Sequence, residues 1–149
     1  MPIGTIRTRE VVVARRDAKV SEAARLMRKH HVGDVIVVDE VDGRQVPCGI
    51  VTDRDIVIGV VAPGLDPDVI TVEDMMLSQI TVGRELDGIA DTIAVMRAKA
   101  IRRLPIVDAM GTLIGIVTAD DLLQLLAEEM GALAAMIVRE QRREVSLRK

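Results

Sequence analysis

The chain has no Phe, Tyr or Trp among its 149 residues, and only one cysteine, Cys48. The first absence dictates an aliphatic core of Val, Ile, Leu, Ala and the eight Met, and hydrophobic residues at 49% are plentiful enough to build it. It also speaks against single-strand nucleic-acid binding, which ordinarily stacks bases on aromatic rings. Positive charge is not in excess either. A net charge of −3 argues against binding a phosphate backbone, so no nucleic-acid partner is expected. One cysteine cannot form an internal disulfide or a thiolate-rich zinc site. Between Pro47 and Gly49, at an expected strand start, Cys48 reads as a small inert residue. The two histidines, His30 and His31, are adjacent and end a helix, where they point apart and suit the helix dipole rather than a metal. The apolar run from Ile56 to Ala62 is far shorter than the ~20 residues of a membrane span, and no signal-peptide pattern opens the chain. A soluble cytoplasmic protein without a membrane partner is the expectation. No nucleophile–base pair, metal-ligand cluster or P-loop is visible, which points away from an enzyme and from a catalytic cofactor.

What is present is a repeat. The string GIVTDRDI, Gly49 to Ile56, recurs as GIVTADDL, Gly115 to Leu122. Both copies carry a Thr with an Asp three residues on, Thr52/Asp55 and Thr118/Asp121. Met27 aligns with Met96 at an offset of 69, which also pairs Val11–Val13 with Ile80–Val82 and residues 32–39 with 101–108. At Gly49 and Gly115 the offset is 66, so the first copy holds three extra residues. These are expected at the hairpin dipeptide Asp42-Gly43, where length variation is tolerated.

Each copy reads as β-α-β-β-α. A short strand near Val11–Val13 or Ile80–Val82 precedes an amphipathic helix carrying Val20, Ala23, Ala24 and Met27, or Ile89, Ile93, Met96 and Ala100. Two strands around a hairpin follow, Val35–Val38 and Leu104–Val107 being the first of each pair. A second helix then begins at the Thr. A unit of about 60 residues is marginal alone. The expected fold is therefore an α/β (α+β) pair of repeats packed sheet to sheet with pseudo-two-fold symmetry and clefts between the halves, plus a C-terminal helix. The boundaries expected are 4–62 and 71–128 for the repeats, 63–70 for the linker and 129–149 for the extension. Gly131 is expected to interrupt the helix that starts near Asp121. The second stretch, from Ala132 to Glu144, either closes over the sheet or touches a partner subunit.

The two G-h-V-T-x-x-D stretches, the run Arg102-Arg103-Leu104-Pro105-Ile106-Val107-Asp108 and the run Thr71-Val72-Glu73-Asp74-Met75-Met76 resemble a tandem pair of cystathionine-β-synthase (CBS) domains, or Bateman module, of the stand-alone bacterial kind. The resemblance covers roughly residues 4–128. It implies a non-catalytic regulatory module, commonly a disc-shaped homodimer. The implied ligands contain adenosine: AMP, ADP or ATP, with NAD or S-adenosylmethionine as alternatives. Signalling to an unknown protein partner is implied too.

Each T-x-x-D has a structural reading, a capping box in which Asp reaches back to the cap amide. Its functional reading is that the Asp carboxylate, an acceptor with two oxygens, takes both ribose hydroxyls of a ligand. Thr52, Thr118 and the helix amides would then face phosphate. Arg54 could reach a phosphate, whereas its counterpart Asp120 cannot. Gly49 and Gly115 would let a ligand approach the backbone. The resemblance places the adenine slot at Val11, Val32 and Gly33 in one copy and at Ile80, Ile101 and Arg102 in the other. It sets Arg102 and Arg103 near phosphates, where the first copy has Gly33 and Asp34. Unequal sites follow, with the Asp121 site the better suited to charged phosphates. A structural dimer with vestigial sites is the competing expectation.

Overall fold

The computed structural model describes residues 1–8, 10–77 and 79–148. It divides into two compact units, residues 1–117 and 118–149.

The first unit is built from two three-stranded sheets. One has the order β1 (Val13–Arg15), β2 (Asp34–Val41), β3 (Arg44–Thr52), and the other the order β4 (Gly83–Arg84), β5 (Arg103–Val107), β6 (Leu113–Thr118). In each sheet the first strand runs parallel to the second, across a helix: α1 (Val20–His30) or α4 (Ile89–Lys99). The registers match. Ala14 faces Val37 and Gly83 faces Ile106, both shifted by the repeat offset. The strands expected at Val11 and Ile80 begin two to three residues later, because the ladder starts where β2 or β5 lies alongside; Val12 still accepts the Ile36 amide at 2.9 Å.

The two helices end alike. His31 and Ala100 both take the left-handed conformation at φ 54°, unusual for non-glycine residues. The next amides, Val32 N and Ile101 N, close back on Met27 O and Met96 O at 3.1 and 3.0 Å. Val20, Ala23 and Met27 are buried on α1 as the periodicity expects, although Ala24 is exposed. On α4 the buried residues are Met96 and Thr92, whose hydroxyl donates to Gly88 O at 2.8 Å.

The three extra residues of the first copy lie at the hairpin, as expected: Asp39 pairs with Val46 across six residues, whereas its counterpart Asp108 already bonds Thr112 across three. Asp42 and Gly43, at φ 51° and 74°, make the two-residue turn. Pairing passes from Val37–Gly49 to Val38–Pro47, so Cys48 is a bulge within β3 rather than a strand start. Pro47 lacks an amide hydrogen and is tolerated because β3 is an edge strand. Cys48 is half-buried against the core under α1, its thiol donating to Val37 O at 3.3 Å. Burial raises its pKa, which disfavours the reactive thiolate.

The sheets face one another. Ile36 and Val38 of β2 pack with Ile116 of β6, with Val11, Val13, Ile50 and Leu113 around them. A second feature ties the repeats together: each lends its opening segment to the other. Ile3, fully buried, sits in a short 3-10 turn whose neighbours bond the second repeat: Ile3 N to Asp87 O at 2.8 Å, Gly4 N to Glu85 O at 2.9 Å. Thr8 bridges Ile116 in both directions, at 2.9 and 3.0 Å. Reciprocally, α3 (Val72–Met75) lies on the first repeat, with Val72 N on Ala18 O at 2.9 Å and Val72 buried in that core. The isolated bridges Pro2–Gly88 and Lys19–Thr71 are the two halves of one exchange, again related by the offset of the repeat.

That exchange explains Gly49 and Gly115. A Cβ at Gly49 would run into the Met76 side chain, and one at Gly115 into Arg7 and the Thr8 carbonyl. The sequence reading reserved this closeness for a ligand; the structure fills it with the exchanged segments.

The second unit is α5 (Ala119–Leu147), a single helix of 29 residues. Gly131 does not interrupt it. Glycine in a helix interior costs only about 1 kcal/mol relative to alanine, which long uninterrupted flanks can absorb.

Candidate functional site

Strand β3 delivers Thr52 to the start of α2 (Asp53–Ile56), which continues into a π-helical turn over Val57–Val61. The capping box forms. Thr52 Oγ1 accepts the Asp55 amide at 3.2 Å, and Asp55 Oδ2 accepts the Thr52 amide at 2.9 Å. Oδ1 of Asp55 accepts no hydrogen bond among the described residues. Asp55, Asp53 and Arg54 are exposed, and Thr52 is half-buried. In the helical unit Thr118 and Asp121 repeat the arrangement at 3.1 and 2.9 Å, both half-buried, beside an exposed Asp120. A third box, Thr71/Asp74, opens α3 and lies outside any predicted site. Capping lowers the Asp74 pKa through the two hydrogen bonds with Thr71.

Next to Thr52 the end of α1 returns. Gly33 O accepts the Asp53 amide at 3.0 Å, and a Cβ on Gly33 would lie 3.1 Å from both Asp53 Oδ2 and an Arg103 guanidinium nitrogen. Arg103 Nε lies 2.7 Å from Asp34 Oδ2, with side-chain exposures of 31% and 16%. Burial raises the Asp34 pKa, the Arg103 charge and hydrogen bond oppose that, and Asp53 adds to it. The sequence set Arg103 near a phosphate, with Asp34 at the corresponding position of the first copy. The structure pairs them with each other. They occupy the same position in the two copies, so the pseudo-two-fold brings each against its own counterpart. Like charges would repel there, and the copies have diverged to opposite ones.

The remaining predicted residues scatter by role. Val11 packs between the sheets. Val32 is 37% exposed beside Gly33, but its amide is used by the α1 cap, so any contact with a base edge falls to its carbonyl. Ile101 has the same constraint and is half-buried. Ile80 is half-buried ahead of β4, and Arg102 is exposed ahead of β5. The structure therefore gathers Thr52, Arg54, Asp55, Val32 and Gly33 at one end of the first sheet, with Arg103 reaching in from the second.

Sequence reasoning missed Arg16. Its guanidinium grips Asp39 at 2.7 and 2.9 Å and reaches Glu73 of the exchanged α3 at 3.2 Å. The Asp39 pKa is held down, chiefly by the Arg16 hydrogen bond. The repeat offset carried a signal for this asymmetry, since Arg16 aligns with Glu85; Asp108, the counterpart of Asp39, caps its own turn, accepting Met110 N and Thr112 N at 2.9 and 3.0 Å. Among the described residues no group of three or more His, Cys, Asp and Glu is placed to hold a metal. No described helix is long and apolar enough to cross a membrane.

Two exchanged β-α-β-β-α units with a capped Thr at each strand-to-helix junction define a tandem repeat architecture. The CBS domain family model matches residues 3–61 and again 72–128, and the chain belongs to the CBS domain family. An uncharacterized protein of Methanopyrus kandleri is 40% identical over 123 residues, 83% of this chain, which spans only 61% of that protein's length. The CBS domain-containing protein YhcV of Bacillus subtilis is 36% identical over 115 residues, covering 77% of this chain and 78% of that one. Among solved structures, a CBS domain protein of Pyrobaculum aerophilum complexed with AMP superposes with a TM-score of 0.73 at 26% identity, covering 86% of this chain and 99% of that one.

Proposed function

We propose that this chain is a non-catalytic regulatory module that binds an adenosine-containing ligand: AMP, ADP or ATP before NAD or S-adenosylmethionine. The observation that carries the reading is the Thr52–Asp55 junction. There the cap occupies one carboxylate oxygen of an exposed aspartate while Arg54, Val32 and Gly33 surround the same sheet end. Asp55 accepts the ribose diol, Thr52 and the helix amides face phosphate, and aliphatic groups hold the base. In the second copy Thr118 and Asp121 take the corresponding roles; Arg103, on which the sequence rested that site's preference for charged phosphates, is engaged by Asp34 instead. The AMP complex of a structural relative supports the ligand class. Signalling requires the ligand to prefer one arrangement of the repeats, transmitted in a homodimer or to a partner protein.

The competing reading, caps without ligands in a structural dimer, is favoured by the third box at Thr71/Asp74, which forms equally well away from any site. Isothermal titration with AMP, ADP, ATP, NAD and S-adenosylmethionine separates the two. Asp121→Asn and Asp55→Asn keep an acceptor for the cap but weaken the diol contact, so each is expected to lose roughly tenfold or more in affinity at its own site. Thermal unfolding of the same variants should shift little. Absence of binding by all five compounds, or unchanged affinity in both variants, decides for the structural reading.

A further inference from the structure

We infer that α5 pairs antiparallel with α5 of a second copy of this chain. Leu123, Leu126, Met130, Leu133 and Ile137 recur at alternating spacings of three and four, the periodicity of a helix–helix seam. All five are exposed, between 43% for Leu126 and 72% for Met130. Five large apolar side chains aligned on one stripe are not scattered surface residues; such a stripe needs a cover. Alanines 127 and 134 border it, which lets a second backbone approach. The family match ends at residue 128, so most of the stripe lies beyond the residues it covers.

The charge pattern selects the occupant and its direction. Residues 119–132 contain four acids (Asp120, Asp121, Glu128, Glu129) and no base, whereas residues 133–148 contain four arginines (Arg139, Arg142, Arg143, Arg148) against two glutamates. A parallel copy would set acid on acid. An antiparallel copy sets the acidic half of each helix against the basic half of the other, so the helix is complementary to itself reversed. The matching register places Leu126 against Ile137 of the second copy and Met130 against its Leu133. Beyond Ile137 the stripe turns polar at Glu140 and Glu144, and the same register sets Leu123 opposite Glu140, which limits the seam to residues 126–137, about three helical turns.

The pairing does not depend on nucleotide binding, and its test uses the full chain. In a Cys48→Ala background, Leu126→Cys and Ile137→Cys proteins are oxidised separately and after mixing to exchange equilibrium. The expected result is an intermolecular disulfide only in the mixture. A disulfide in either variant alone means parallel pairing, and no disulfide in any sample means no seam; each overturns the inference. Ile137→Asp, at a position 48% exposed and so tolerated in the fold, should raise the dimer dissociation constant by roughly a hundredfold in sedimentation equilibrium with unchanged circular dichroism. An unchanged constant overturns the inference as well.

Discussion

Gly115→Ala is expected to lower the free energy of unfolding by about 3 kcal/mol, and Gly49→Ala by no more than about 1 kcal/mol, although the two glycines are equivalent in the repeat. The difference lies in what stands opposite. A methyl at Gly115 would come within 2.7 Å of the Thr8 carbonyl oxygen and 2.6 Å of Arg7 Cδ. Backbone cannot rotate away, because Thr8 exchanges two hydrogen bonds with Ile116 and the Arg7 side chain donates to Ile114 O at 3.0 Å. Relief requires peeling the opening segment from β6, which loosens buried Ile3 as well. At Gly49 the three nearest atoms all belong to the unbranched Met76 side chain, whose Sδ and Cγ can take another rotamer and whose Cβ, at 3.3 Å, need give only a few tenths of an ångström. Urea denaturation of both variants at constant m measures the difference. Equal costs would show that the exchanged segments are not held as described.

Arg103→Ala is the second large effect, about 2 kcal/mol at pH 7, whereas Asp34→Asn should cost less than about 1 kcal/mol. Removing the guanidinium leaves a carboxylate only 16% exposed, near Asp53, without its cation. Removing the carboxylate charge leaves an arginine that is 31% exposed and can turn to water. The pH dependence has a definite sign. The folded-state pKa of Asp34 is already raised above the ordinary 3.8 by burial, so the folded protein holds its proton more tightly than the unfolded chain. Stability from this group is thus present below the ordinary value and is lost as pH rises through the folded one. Without Arg103 the opposing contribution is gone and the folded pKa climbs further. The deficit of Arg103→Ala relative to the parent should therefore shrink toward pH 3.5 and reach its full size above the raised pKa. A deficit independent of pH would show that Arg103 acts through packing alone.

Most of the architecture was legible because duplication makes a sequence check itself. The offset between Met27 and Met96 returned as the register of β1 on β2 and of β4 on β5, and the Asp42-Gly43 turn stands where its dipeptide announced it. The capping boxes were legible as well, since Thr and Asp three apart need only one helical turn to meet. The bulge at Cys48 was not, because a register shift depends on the partner strand. Nor was the continuity of α5 through Gly131, where local propensity is weak against a long flanking helix. The role of Arg103 was misread for a related reason. A cation beside a short strand is consistent with a phosphate or a carboxylate, and Asp34 is far away in sequence.

Local and periodic information in the sequence thus determined the aliphatic core, the two β-α-β-β-α copies and the caps at Thr52 and Thr118. Contacts between the copies were decided only in the tertiary structure: the exchange of opening segments, the glycines that admit them, and the opposite charges that meet at Asp34 and Arg103. A repeat states what each unit is. Which surfaces two units share follows from packing both at once, and no single window of sequence contains that condition.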